Sequence, residues 1–134
     1  MQPRFAQAVY VLEPDEAVRD GIRLLLDSLN IEVKTYPDAE SFLKEAASTA
    51  QGCALIESQL PDLNGLTLLS RLRAMGNTIP VLLLTSSRDD GLARHALEQG
   101  VTCVLHKPMA SEQLLQQVAA LMHPIPPALD AFGS

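Results

Sequence analysis

Four polar residues stand at or just past the ends of apolar runs. Glu13 follows Val9-Tyr10-Val11-Leu12, Glu57 follows Ala54-Leu55-Ile56, Thr85 follows Val81-Leu82-Leu83-Leu84, and Lys107 lies just past Val104-Leu105. If these runs are parallel strands of one open α/β sheet, their carboxyl ends share an edge and the four side chains converge there. Two carboxylates, a hydroxyl and an ammonium can do two things together. Carboxylates are hard oxygen ligands for a divalent cation, while a lysine and a threonine hydroxyl can meet phosphoryl oxygens. Alternatively, Glu57 and Lys107 form an ion pair that only neutralises the rim of the sheet. The residues alone leave both readings open.

Positioning these groups requires strands alternating with helices, and the sequence supplies five rounds. Residues 8–12 read as a buried strand. Residues 15–30 place Val18, Ile22, Leu25, Leu26 and Leu29 on one helical face. Pro14 suits the first helical position, and Asp15 and Glu16 oppose the helix dipole. Residues 31–36 alternate as a second strand, and Asp38 is the expected N-cap of a helix with Phe42, Leu43 and Ala46 inward. Residues 53–56 form a third strand. A turn-rich stretch over 59–65 precedes a helix carrying Leu66, Leu69, Leu72 and Met75. Residues 79–85 are a fourth strand, and Ser87 with Asp90 resembles a capping box for a helix ending near Gly100. Residues 101–105 are a fifth strand, and the last helix aligns Leu114, Val118, Leu121 and Met122. Strands apolar on both faces predict a doubly wound, parallel sheet covered on both sides by helices.

Composition narrows the function classes. The chain has 134 residues, which favours one domain. The expected organisation is a domain over residues 1–123 and a Pro-rich tail or linker over 124–134. A net charge of −6 argues against gripping a nucleic-acid backbone or an anionic membrane directly. No stretch approaches the roughly 20 apolar residues of a spanning helix, and the first apolar run is too short for a signal-peptide core, so a cytoplasmic location is expected. Aromatics make up only 4% and Trp is absent, so the core must be aliphatic. Cys53 and Cys103 read as separate, reduced, buried thiols. His95 is expected in solvent and His123 in the tail. Strand alternation points His106 away from the side of Lys107, and Ser58 away from that of Glu57.

Taken in order and spacing, four segments resemble the receiver domain of two-component response regulators, over about residues 7–122. They are Val9-Tyr10-Val11-Leu12-Glu13-Pro14-Asp15, Leu55-Ile56-Glu57-Ser58-Gln59-Leu60-Pro61-Asp62, Leu84-Thr85-Ser86 and His106-Lys107-Pro108. The local segment is most similar to regulators of the nitrogen-fixation type. The resemblance implies a flavodoxin-like (βα)5 fold, with a five-stranded parallel sheet in the order 2-1-3-4-5 and a cis peptide before Pro108. In that family an aspartate ending the third strand takes a phosphoryl group from a histidine kinase. Mg²⁺ is held by that aspartate, by an acidic residue after the first strand and by a backbone carbonyl two residues past the acceptor. A Thr or Ser and a Lys contact the phosphoryl oxygens, and an aromatic residue three before the Lys changes rotamer.

Carried onto this sequence, the resemblance makes Glu57 the phosphoacceptor equivalent, Glu13 and Pro14 the acidic pocket, and Thr85, Val104 and Lys107 the switch and phosphoryl-contact positions. The metal set becomes Glu13, Glu57 and the Gln59 carbonyl. Three positions depart from the pattern: Glu57 replaces aspartate, Pro14 replaces a carboxylate, and Val104 replaces the aromatic. In-line phosphoryl transfer depends on positioning, and an error of about 1 Å can cost roughly 10²-fold. Mg²⁺ demands near-ideal octahedral geometry, so losing a carboxylate weakens its site.

The expected protein is an atypical receiver that is no enzyme, holds no cofactor and is not phosphorylated in the usual way. It would act through protein contacts or as a homodimer to regulate an output such as transcription. The face implied is the fourth helix, fifth strand and fifth helix. Regulators of this type often carry a C-terminal DNA-binding helix-turn-helix, which these residues do not include. A Glu57–Lys107 pair could lock an active-like state or be a vestigial neutralising contact; a single charge imitates a phosphoryl group poorly, which favours the second. Two alternatives are a conventional receiver using another acceptor, with Asp15 and Asp62 nearby, and a flavodoxin-like small-ligand protein. The latter would need a Gly, Ser or Thr-rich loop after the first strand, where this chain has Glu-Pro-Asp-Glu.

Overall fold

The computed structural model describes residues 7–122. Along the chain, β1 (Gln7–Leu12), α1 (Glu16–Asp27), β2 (Val33–Tyr36), α2 (Ala39–Glu45) and β3 (Gln51–Glu57) are followed by α3 (Gly65–Ala74), β4 (Val81–Thr85), α4 (Asp90–Glu98), β5 (Cys103–His106) and α5 (Ser111–Met122). The strands form one sheet in the order β2-β1-β3-β4-β5, every pair parallel. This is the flavodoxin-like order that the resemblance implies.

Alternation along each strand feeds two apolar layers. Tyr10, Leu12, Ala54, Ile56 and Leu83 face α2, α3 and α4, meeting Phe42, Leu68, Leu69, Leu72 and Ala96. Val9, Val11, Leu55, Leu82 and Leu84 face α1 and α5, meeting Ile22, Leu26, Leu114 and Val118. Each buried Leu or Ile contributes about 1.5–3 kcal/mol relative to exposure. The few aromatics gather at one spot, with Phe42 5.7 Å from Tyr10 and 5.5 Å from Tyr36 between ring centroids. Gly52 permits the start of β3 to lie against β1: its φ is +127°, and a Cβ there would sit 2.1 Å from the Ala8 carbonyl oxygen.

Several boundaries differ from the expectations. Pro14 precedes α1 rather than opening it, because the Asp15 carboxylate caps the helix by accepting from the Val18 N–H at 3.2 Å. Ser87 and Asp90 make no capping box. Asp89 caps α4, accepting from the Gly91 N–H at 2.8 Å, while Ser87 Oγ accepts from the Asp89 N–H at 3.1 Å. On α3 the buried face is Gly65, Leu68, Leu69 and Leu72, and Met75 is the half-exposed C-cap. Asp38 caps α2 as expected. Cys53 is fully buried and Cys103 partly so, both as free thiols. Burial pushes the Cys53 thiol up to about 12. No described helix is long and apolar enough to cross a membrane. The expected tail over 124–134, and His123, lie outside the described residues.

Candidate functional site

At the carboxyl edge of the sheet, each polar group is fixed by the element that delivers it. Glu13 leaves β1 almost fully buried. Its N–H donates to the Tyr36 carbonyl at 3.1 Å, and its own carbonyl accepts from the Arg19 guanidinium at 2.8 Å. Its Oε2 accepts from the Asp15 N–H at 3.0 Å, so the turn into α1 folds around this carboxylate. Glu57 closes β3 between β1 and β4. Gly65 lets α3 begin beside that strand end, since a Cβ there would come within 2.8 Å of the Glu57 carbonyl oxygen.

Lys107 reaches back from the end of β5 into this edge. Its Nζ donates to Glu13 Oε1 at 2.6 Å and to Glu57 Oε1 at 2.5 Å. Its backbone N–H donates to the Thr85 carbonyl at 2.8 Å, which anchors the base of the side chain. Burial opposes the lysine's charge, but hydrogen bonds and charge from Glu13 and Glu57 outweigh it, and its pKa is raised above the ordinary value. The two carboxylates thus favour the charged form of Lys107. The Glu57–Lys107 pair, one of the two readings the residues left open, is present, and the similarly short contact to Glu13 completes a carboxylate–ammonium–carboxylate bridge joining the ends of β1, β3 and β5.

The second Glu57 oxygen is also occupied. Oε2 accepts from the Gln59 N–H at 3.1 Å and lies 3.2 Å from the Ser58 hydroxyl. Ser58 is buried on the same side as Glu57, contrary to the strand-alternation argument. The pleat stops at Glu57 and the chain turns: the Ser58 N–H still donates to the Leu84 carbonyl at 2.8 Å, but its carbonyl accepts from the Gly65 N–H at 2.9 Å. Ser58 Oγ thereby comes 2.9 Å from Thr85 Oγ1, and Thr85 Oγ1 accepts from the Ser87 N–H at 3.0 Å. The sequence signal was a hydroxyl residue directly after the last strand position, where period-two reasoning no longer holds.

Glu13, Pro14, Glu57, Gln59, Thr85 and Lys107, with the serines at 58, 86 and 87, line an open cleft of about 430 Å³. Val104 does not line it; this partly buried side chain packs against the core under α2, α3 and α4. His106 is half-buried outside the cleft and His95 is exposed. Asp15 and Asp62 hold helix starts instead: the Asp62 oxygens accept from the Ala39 and Glu40 N–H groups of α2 at 3.1 and 2.9 Å. The Lys107–Pro108 peptide is cis.

The donor set does not fit Mg²⁺ as arranged. One oxygen of each carboxylate is held by the ammonium, and Pro14 supplies no side-chain oxygen. Among the described residues no three His, Cys, Asp or Glu side chains form a metal cluster. A cation would have to compete with Lys107 for one oxygen of each carboxylate.

A parallel 2-1-3-4-5 sheet with a polar cleft at its carboxyl edge is the flavodoxin-like fold, with its site where such sheets carry theirs. The response regulator receiver domain model matches residues 9–119, and the chain belongs to that family. It is 32% identical over 120 residues to the transcriptional regulatory protein FixJ of Bradyrhizobium diazoefficiens, covering 90% of this chain and 58% of that protein. It is 27% identical over 117 residues to the response regulator protein TodT of Pseudomonas putida, covering 87% of this chain and 52% of that one. Among solved structures, full-length FixJ from B. japonicum superimposes with a TM-score of 0.80 at 31% identity, over 92% of this chain and 61% of that chain. A response regulator receiver protein from Burkholderia phymatum gives 0.76 at 30% identity, over 90% and 98%. The chain spans about half the length of the curated relatives it matches.

Proposed function

We propose that this receiver signals without conventional phosphotransfer, and that Glu57 stands where the family's acceptor aspartate does. The observation that carries the reading is the Lys107 ammonium seated between Glu13 and Glu57. A carboxylate that is to attack phosphorus needs a free oxygen in line with the leaving group, and a cation to offset the charge that gathers on the transferred group. Here one Glu57 oxygen is held by Lys107, and the other by the Gln59 amide and Ser58. Pro14 removes the carboxylate that would help to recruit Mg²⁺. The resident ammonium takes the place of the metal and gives the strand ends one fixed arrangement.

The relatives' names as transcriptional and response regulators support an output at transcription; the proposed place is the cytoplasm and the proposed means protein contacts. The contact face proposed is α4, β5 and α5. The test is intact-protein mass after incubation with a small-molecule phosphodonor and Mg²⁺, wild type beside Pro14→Asp/Glu57→Asp. Wild type is expected to gain no phosphoryl group and the double variant to gain one. A phosphorylated wild type would overturn the reading, and mapping the modified residue would identify the acceptor.

A further inference from the structure

We infer that Ser58 is a positioning residue that ties the buried Glu57 carboxylate to Thr85, and through Thr85 to the N-terminus of α4. The inference rests on the reading of Glu57 as a carboxylate that stays unmodified. Ser58, Thr85 and Glu57 are all buried, so their polar atoms must satisfy one another. Each hydroxyl has one proton to give. Ser58 Oγ lies 2.9 Å from Thr85 Oγ1 and 3.2 Å from Glu57 Oε2, and Glu57 can only accept. Only one assignment makes every contact a hydrogen bond. The Ser87 N–H donates to Thr85, Thr85 donates to Ser58, and Ser58 donates to the carboxylate. Reversing the Ser58–Thr85 bond would leave two acceptors facing each other at Glu57.

The same run continues outward. Ser87 Oγ accepts from the Asp89 N–H at 3.1 Å, and Asp89 Oδ1 accepts from the Gly91 N–H at 2.8 Å as the cap of α4. A buried charge fixed by Lys107 is thus joined, one hydrogen bond after another, to the first turn of the helix proposed to meet partners. The chain ends on a carboxylate acceptor, and hydrogen bonds to a carboxylate are stronger than those between neutral groups. No phosphoryl group is needed to set the β4–α4 loop.

Amide hydrogen exchange tests this. Ser58→Ala is expected to speed exchange at the 87–91 amides by about three- to tenfold, as loss of a bond of ordinary strength predicts, and to leave the β1 amides unchanged. Ser58→Cys fills similar space with a weaker donor, so it should follow Ser58→Ala, whereas a residue that merely fills space would make it behave as wild type. Glu57→Ala should produce the same local change, and adding Ser58→Ala to it should add little, because both cut one path. Unchanged 87–91 exchange in Ser58→Ala, wild-type behaviour of Ser58→Cys, additive effects, or an equal rise in β1 would each overturn the inference. The phosphodonor measurement is separate. Phosphorylated wild type with this exchange pattern intact sinks the reading of Glu57 but not the Ser58 link; no phosphorylation with unchanged exchange sinks the link alone.

Discussion

Lys107 decides the chemistry of the cleft, because one ammonium serves two carboxylates that have little other access to solvent. Replacing it by Met removes the shared cation and leaves Glu13 and Glu57 facing each other. Breaking a buried pair by removing one partner costs about 3–5 kcal/mol, and the partial exposure of Lys107 places this case toward the lower end. Urea unfolding of Lys107→Met should show that loss. The pH dependence has a definite sign. The folded-state pKa of Lys107 lies above its ordinary value of 10.5, so its contribution is complete below that pH. It disappears as pH rises through the folded value. Wild type should lose stability in that alkaline window, and Lys107→Met should lack this component. At this scale the sequence brought Glu13, Glu57, Thr85 and Lys107 to one edge, because each closes or follows an apolar run. It did not show Ser58 among them, since the turn after Glu57 breaks the alternation that had sent it to the other face.

Helix starts carry the next level of organisation, and carboxylates perform most of it. Asp15, Asp38 and Asp89 each cap the helix that directly follows them. Asp62 acts at a distance: it lies in the loop before α3 yet accepts from two amides at the start of α2, 23 and 22 residues away in sequence. It therefore fastens the β3–α3 loop, which begins just after Glu57, to a neighbouring helix. Asp62→Ala should cost about 1 kcal/mol, the usual scale for a lost cap. A urea midpoint unchanged from wild type would show that water replaces both bonds freely. Local caps such as Asp38 were legible because the capping residue and its amide are neighbours in sequence. The role of Asp62 was not, because it exists only once α2 and the β3–α3 loop pack together. The same distinction explains α3, where Leu68 rather than Met75 fills the core: the apolar spacing allowed either face, and contact with the sheet chose between them.

The whole molecule presents two unlike sides, with α1 and α5 covering one face of the sheet and α2, α3 and α4 the other. The parallel, doubly covered sheet followed from the two-sided apolar character of the strands, and their order from the family resemblance; which outer surface meets a partner is written in neither. Of the three exposed large apolar side chains among the described residues, Leu24, Met75 and Leu97, the two leucines mark separate candidates. Leu97 on α4 is 52% exposed and Leu24 on α1 is 71% exposed. Leu97 belongs to the α4–β5–α5 face proposed for association and to the helix whose start is reached through Ser58 and Thr85. If copies of this chain associate there, Leu97→Asp places a charge where an apolar side chain would be buried. It should weaken self-association by about tenfold or more, within the usual range for a buried interface anchor. Leu24→Asp should leave association unchanged, because α1 packs beside α5 but contributes no part of the α4–β5–α5 face. Sedimentation over a concentration series measures both. A wild type that stays monomeric throughout would remove the homodimer from the proposal and leave a different protein as the partner of this face. Equal weakening by both substitutions would instead trace the effect to added negative charge on a chain already at −6, since only a specific interface distinguishes one leucine from the other.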